Sequence, residues 1–182
     1  MEITKTKLEG CIVIKPKVFG DERGYFLESF HEERYKIEAG IKETFVQDNR
    51  SSSLKNVLRG LHFQKEKPQG KLVTVTRGRV FDVAVDLRPE SRTFGKYESI
   101  LLSEDNKLQF YIPPGFAHGF VVLSDNAEFQ YKCTEFYDPQ DEGGIIWNDP
   151  DININWPITN PILSDKDMHQ PLFKEIYKDK RC

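Results

Sequence analysis

The sequence predicts a mainly β protein built as an antiparallel sandwich or jelly roll. Short strand-like runs recur at near-regular spacing over 44–49, 57–64, 71–76, 80–87, 97–102, 108–112, 117–123 and 127–137, with turn residues between them. Within the runs, side chains alternate in character: Phe81, Val83, Val85 and Leu87 share one face, and Asp82, Ala84 and Asp86 fall on the other. The first half holds one clear helical signal, and no long repeat or low-complexity segment interrupts the pattern.

In chain order, Cys11-Ile12-Val13-Ile14 reads as a strand after a polar start. Gly20-Asp21-Glu22-Arg23-Gly24 is a charged turn, and 25–30 is a second strand. Residues 31–39 predict a short helix closed by Gly40, the residue that most readily takes the left-handed conformation after a helix. The strand-like runs follow. From about residue 143 the density of Asn, Asp and Pro rises, and Pro150, Pro157 and Pro161 limit regular structure, so this part is expected to wrap the sheet as loops. A short helix over 166–178 is expected to close the chain, with Pro171 interrupting it or occupying its first turn.

A chain of 182 residues without a Pro/Gly/Ser-rich linker reads as one domain, 1–182. Its 38% hydrophobic, 12% aromatic and 30% charged residues are those of a soluble globular protein. With a formal net charge of −3, and a basic cluster only at 174–181, nucleic-acid binding has little electrostatic support. No apolar run has the roughly 18 residues of a membrane span, and no signal-peptide pattern opens the chain; the expected location is the cytoplasm. Cys11, Cys133 and Cys182 fit neither a disulfide framework nor a zinc site, and read as free thiols.

The chemistry centres on Arg59-Gly60-Leu61-His62-Phe63-Gln64. Alternation puts Leu58, Gly60, His62 and Gln64 on one face, and an imidazole with an unperturbed pKa near 6.5 suits proton transfer near neutral pH. The hexapeptide on its own favours a core histidine satisfied by a backbone carbonyl. His118, in Pro113-Pro114-Gly115-Phe116-Ala117-His118-Gly119-Phe120, has a similar setting. A metal site would want a second imidazole two residues after His62, where Gln64 stands, so no metal is expected, although folding could still assemble His62, His118 and Asp82. As a general base, His62 would need a carboxylate to fix its tautomer; Asp82 and Asp167 are both candidates. Arg59 and Lys71 suit a phosphate or an oxyanion, or are surface cations. On an unbroken strand Tyr131 and Tyr137 share a face, as a phenolic donor and a flat ring or as aromatic packing.

Several runs together carry a family resemblance. They are Phe19-Gly20-Asp21-Glu22-Arg23-Gly24, Phe45-Val46-Gln47-Asp48-Asn49, the His62 hexapeptide, Val80-Phe81-Asp82-Val83-Ala84-Val85-Asp86, Pro114 to Phe120, Tyr131-Lys132 with Tyr137, and Leu163-Ser164-Asp165-Lys166-Asp167. From about Ile12 to about Pro171 the chain resembles the dTDP-4-dehydrorhamnose 3,5-epimerases, cupin-type isomerases of the dTDP-L-rhamnose pathway. The resemblance implies a double-stranded β-helix jelly roll with a few short helices. It also implies epimerisation, without a cofactor, at C3 and C5 of a dTDP-4-keto-6-deoxy sugar. It gives His62 the role of base, Asp167 its partner, Tyr131 the proton donor and Lys71 a place by the keto oxygen. Tyr137 would stack on the thymine and Arg59 would contact the diphosphate. Further substrate contacts fall on Arg23, Glu28, Gln47, Asp48, Asn49, His118, Glu142 and Lys166. The family is typically a homodimer, so N-terminal strands are expected at an interface where Arg23 and Glu28 reach the neighbour's site.

Overall fold

Alternating side chains and turn residues build the chain around short antiparallel strands. In the computed structural model, which describes residues 1–178, these are β1 (Glu2–Lys5), β2 (Ile12–Lys15), β3 (Val18–Asp21), β4 (Gly24–Leu27), β5 (Gln47–Leu54), β6 (Leu58–Gln64), β7 (Lys71–Arg77), β8 (Arg79–Asp86), β9 (Tyr97–Ser103), β10 (Gln109–Ile112), β11 (Phe116–Val122), β12 (Asn126–Cys133) and β13 (Glu142–Gly144). Helices α1 (Glu32–Glu38), α2 (Asp165–Met168) and α3 (Phe173–Ile176) are short. Cys182 and the end of the basic segment lie outside the described residues.

Six strands form one sheet in the order β1-β2-β10-β7-β12-β5, and five form the other, β13-β6-β11-β8-β9. Strands distant in sequence lie side by side in both, as in a cupin-like jelly roll. Between the sheets sits the main core, with Val73, Phe110 and Phe129 from the first and Val80, Ala84, Phe116 and Val122 from the second. The Phe81, Val83, Val85 and Leu87 face is the back of the second sheet, covered by Ile145, Ile152 and Phe173 of the C-terminal segment. Both faces of β8 are therefore buried, and its Asp82 and Asp86 are inside the protein. On the far side of the first sheet, Tyr35 of α1 packs with Ile14, Leu72 and Tyr111, and its hydroxyl donates to Gln109 Oε1 at 2.7 Å. Gly40 follows α1 at φ +72, as its position predicts.

Several expected boundaries move. The strand expected over 44–49 begins at Gln47 and extends through three serines to Leu54, because its ladder with β12 runs from Gln47↔Cys133 to Leu54↔Asn126. The one expected over 25–30 ends at Leu27. The run over 127–137 stops at Cys133, so Tyr137 does not share a strand face with Tyr131. The C-terminal helix is two, separated at Pro171, whose ring and missing N–H break the turn.

The buried Asp86 carboxylate illustrates how the interior handles charge. It accepts from Arg88 N (3.0 Å), Nε (2.9 Å) and the guanidinium NH2 (2.8 Å), from Ser91 Oγ (2.6 Å) and from Thr93 Oγ1 (2.7 Å). Burial works to raise its pKa, but these bonds hold it below the ordinary carboxylate range. Asp86→Ala is expected to lower unfolding free energy by about 2–3 kcal/mol, since it removes the buried acceptor that Arg88, Ser91 and Thr93 share. Because the folded pKa is depressed, the stabilisation is present above the unfolded carboxylate pKa and is lost as pH falls through the folded value. Urea unfolding of the two proteins at neutral and acid pH should therefore show the gap closing in acid.

Candidate functional site

β6 and β11 run side by side in the second sheet and place His62 opposite His118. Between that pair and the next, Arg59↔Phe120, the register shifts: two steps along β11 match three along β6. Strict alternation would set Arg59 and His62 on opposite faces, but the irregularity lets both line one cavity. Gly60 makes it possible. Its φ is +111, and a Cβ there would meet His118 O at 2.6 Å and Gly119 Cα at 2.7 Å.

The cavity, about 320 Å³, opens between the sheets. Arg59, His62, His118 and Phe120 reach it from the second sheet, and Ser51, Lys71, Phe129 and Tyr131 from the first; Ser164, Lys166 and Asp167 come from the C-terminal segment. That segment is tied beside β6: Leu58 N donates to Ile162 O (3.0 Å) and Ile162 N to Asn56 O (2.8 Å). Ser164 then caps α2, its Oγ accepting from Asp167 N at 3.1 Å, and the turn carries Asp167 to His62.

Asp167, 3% exposed, lies with Oδ1 2.5 Å from His62 Nε2. Burial works to raise its pKa, yet the bonds with His62 and Ser164 and a backbone bond from Gly60 keep it below the usual range. Asp82, the other candidate partner, is taken by His118 at 2.9 and 3.2 Å. Burial lowers the His118 pKa even against the Asp82 charge.

On the facing wall, Lys71 Nζ lies 5.8 Å from the centre of the Tyr131 ring. Burial lowers the Lys71 pKa from the ordinary 10.5, with the charges of Asp82 and Glu142 among those opposing it. Burial raises the Tyr131 pKa from the ordinary 10.0. Of the two groups Lys71 is the one whose pKa burial lowers, and the alkaline limb of kcat/KM, which reports the free enzyme, is expected to follow it. Lys71→Arg is expected to move that limb upward, and Tyr131→Phe to leave its midpoint in place when residual exchange is followed; a limb that moves with Tyr131→Phe would reject this assignment.

The other expected site residues divide. Gln47 and Asn49 lie on the inner side of β5, joined by Gln47 Nε2 to Asn49 Oδ1 at 3.0 Å, and Asn49 also donates to Cys133 Sγ at 3.6 Å. Between them Asp48 points to the opposite face, where Lys132 Nζ pairs with it at 2.9 Å. Tyr137 hydroxyl donates to Glu142 Oε2 at 2.8 Å, and Glu142 also pairs with Lys166, which links the Tyr137 loop to the cavity wall. Arg23 pairs with Asp21 and Glu28 with Arg34, on or just after the β3–β4 hairpin, and neither lines the cavity. Gln64 is buried with its amide turned to backbone groups, and among the described residues no three His, Cys, Asp or Glu side chains converge as a metal site. No sequence motif points to Ser51 or Phe129; Phe129 stacks on Phe120, the last residue of the His118 run, with 4.1 Å between ring centres. Ser51 was within reach, since alternation from Gln47 and Asn49 leads to it.

A jelly roll with a His–carboxylate pair on one wall and a phenol and an amine on the other defines an enzyme of the cupin architecture equipped for proton transfer. The model of the family described as dTDP-4-dehydrorhamnose 3,5-epimerase matches residues 5–175. A curated relative of that name from Escherichia coli K12 is 56% identical over 169 residues, 92% of this chain and 91% of the relative. Two solved structures superpose closely. The dTDP-4-dehydrorhamnose 3,5-epimerase of Elizabethkingia anophelis has a TM-score of 0.92 and 51% identity, covering 100% of this chain and 99% of the other. The dTDP-6-deoxy-D-glucose-3,5-epimerase of Legionella pneumophila, solved in complex with dTDP-4-keto-L-rhamnose, has a TM-score of 0.91 and 52% identity, covering 94% and 92%. The chain belongs to the dTDP-4-dehydrorhamnose 3,5-epimerase family.

Proposed function

We propose that this chain converts dTDP-4-dehydro-6-deoxy-D-glucose to dTDP-4-dehydro-L-rhamnose in dTDP-L-rhamnose biosynthesis, with His62 as base and Tyr131 as acid. The observation that carries the assignment of roles is the His62–Asp167 pair on one wall of the cavity, with Tyr131 on the other. C3 and C5 of the sugar both flank the C4 ketone, so removing either proton gives an enolate and no further cofactor is required. His62 takes the proton, and Asp167 stabilises the imidazolium that forms. Lys71 donates to the ketone oxygen as charge develops there, in a buried site where that attraction is strong. Inversion needs a proton returned from the opposite face, and Tyr131, kept as a phenol by burial, supplies it. Its phenolate then regains a proton from solvent.

In the same reading Arg59 holds the diphosphate with a guanidinium oriented by Nε donation to Ser53 Oγ at 3.0 Å. Tyr137, Gln47, Asn49, His118, Glu142 and Lys166 contact the substrate. The protein is a homodimer: the β3–β4 hairpin exposes Val18, Phe19, Tyr25 and Phe26, the last 69% accessible, and a second copy covers them. That copy brings Arg23 and Glu28 to its neighbour's site. Residues 1–182 act as one cupin-like unit in the cytoplasm; no helix among the described residues is long and apolar enough to cross a membrane.

Proton NMR of the purified chain with dTDP-4-keto-6-deoxyglucose in deuterated buffer tests the function. Deuterium should enter at C3 and C5, and a downstream reductase should trap dTDP-L-rhamnose. Exchange at one carbon alone would make the chain a single-site epimerase, and binding without exchange would make it a nucleotide-sugar-binding cupin.

A further inference from the structure

Gln64 stands two residues after His62 on β6 and is 5% exposed, yet its amide takes no part in the proton chemistry. All its hydrogen bonds go to backbone. Nε2 donates to Lys67 O at 2.8 Å and to Phe136 O at 3.2 Å, and Oε1 accepts from Asp138 N at 2.8 Å. The last two bracket Tyr137, holding the carbonyl before it and the N–H after it. The Tyr137 N–H itself donates to Gln47 Oε1 at 2.9 Å.

The loop that carries Tyr137, residues 134–141, has neither helix nor strand. Its ends are fixed independently: Thr134 exchanges hydrogen bonds with Gly70, and the Asp141 carboxylate accepts from the backbone N–H groups of Lys65, Glu66 and Lys67. Its middle has little apolar anchoring, since Phe136 and Tyr137 are 62% and 51% exposed. Gln47 holds the Tyr137 N–H and Gln69 Nε2 the Glu135 carbonyl at 2.8 Å, while the Phe136 carbonyl and the Asp138 N–H, on either side of Tyr137, are held by one buried amide that belongs to the strand of the catalytic base.

We infer that Gln64 is a positioning residue for nucleotide binding, which sets the Tyr137 ring relative to the wall that holds His62. The inference rests on the reading of Tyr137 as a nucleotide contact. Without the amide, the Phe136 carbonyl and the Asp138 N–H must find water, which draws the loop outward and leaves the His62–Asp167 pair in place. The effect should thus appear in binding rather than in the chemical step.

Gln64→Met, which keeps the length of the side chain and removes every hydrogen bond, tests this. Calorimetric titration with dTDP should show Kd rising tenfold or more, and KM for the sugar nucleotide should rise in parallel, against a fall in kcat of less than threefold. Made in a Tyr137→Ala background, the same substitution should change Kd by less than twofold, because the residue it positions is gone. Gln64→Glu, which keeps an acceptor for the Asp138 N–H and loses both donations, allows the same comparison if Gln64→Met does not fold. An unchanged dTDP Kd in a folded Gln64 variant overturns the inference, as do effects of Gln64 and Tyr137 that multiply independently. If Tyr137→Ala by itself leaves dTDP affinity unchanged, the nucleotide reading of Tyr137 fails, and the role of Gln64 with it.

Discussion

His62→Asn is expected to abolish deuterium uptake at both C3 and C5 and to lower kcat/KM by about 10³–10⁴-fold, within the usual range for removing a general base. The expectation follows from the geometry of one wall. His62 reaches the cavity beside Arg59, and its Nε2 is 2.5 Å from a buried carboxylate, so its other ring nitrogen is the one left to meet a substrate proton. His118 has a carboxylate partner of its own in Asp82, but its side chain is 7% exposed against 28% for His62, so His62 is the imidazole more open to a substrate. Asparagine preserves polarity and approximate size, so dTDP binding should persist while exchange stops. Exchange retained at either carbon would show that another base serves it, and His62 would lose its role there.

Tyr131→Phe should separate the two halves of the reaction. The base and its partner are untouched, so deuterium is still expected to enter at C3 and C5, returned by His62 to the face it deprotonates. The donor on the opposite wall is absent, so inversion at both carbons should fail and trapped dTDP-L-rhamnose should fall by about 10²–10⁴-fold. Burial keeps the native phenol protonated beyond the ordinary tyrosine range, so the loss should persist across the neutral and mildly alkaline pH range. Equal loss of exchange and of product would mean that Tyr131 takes part in deprotonation as well.

Much of this protein is legible in its sequence because strand formation and alternation are local. The runs that predict β6, β7, β8, β9, β10 and β11 differ from the observed strands by a residue at most ends, since their apolar and β-branched residues agree with the pairing they enter. β5 departs from its expected span for the converse reason. Arg50 and the serines after it have little strand signal of their own, and the ladder with β12 extends the strand through them. Tyr137 departs because the chain leaves β12 at Cys133, where Thr134 turns to hydrogen-bond Gly70.

By itself the sequence determined the β-rich class, the short helices near each end, the family motifs and the residue types available for proton transfer. Those follow from periodicity, turn chemistry and the ordered motif set. Only the tertiary structure decided which carboxylate serves which histidine, since Asp82 and Asp167 are equivalent as residue types and the docking of the C-terminal segment along β6 chooses between them. It also turned Arg59 to the face of His62 and left Asp48 on the outer side of its sheet. Alternation depends on adjacent residues alone, whereas register shifts and loop docking depend on partners far along the chain, here 105 residues for His62 and Asp167.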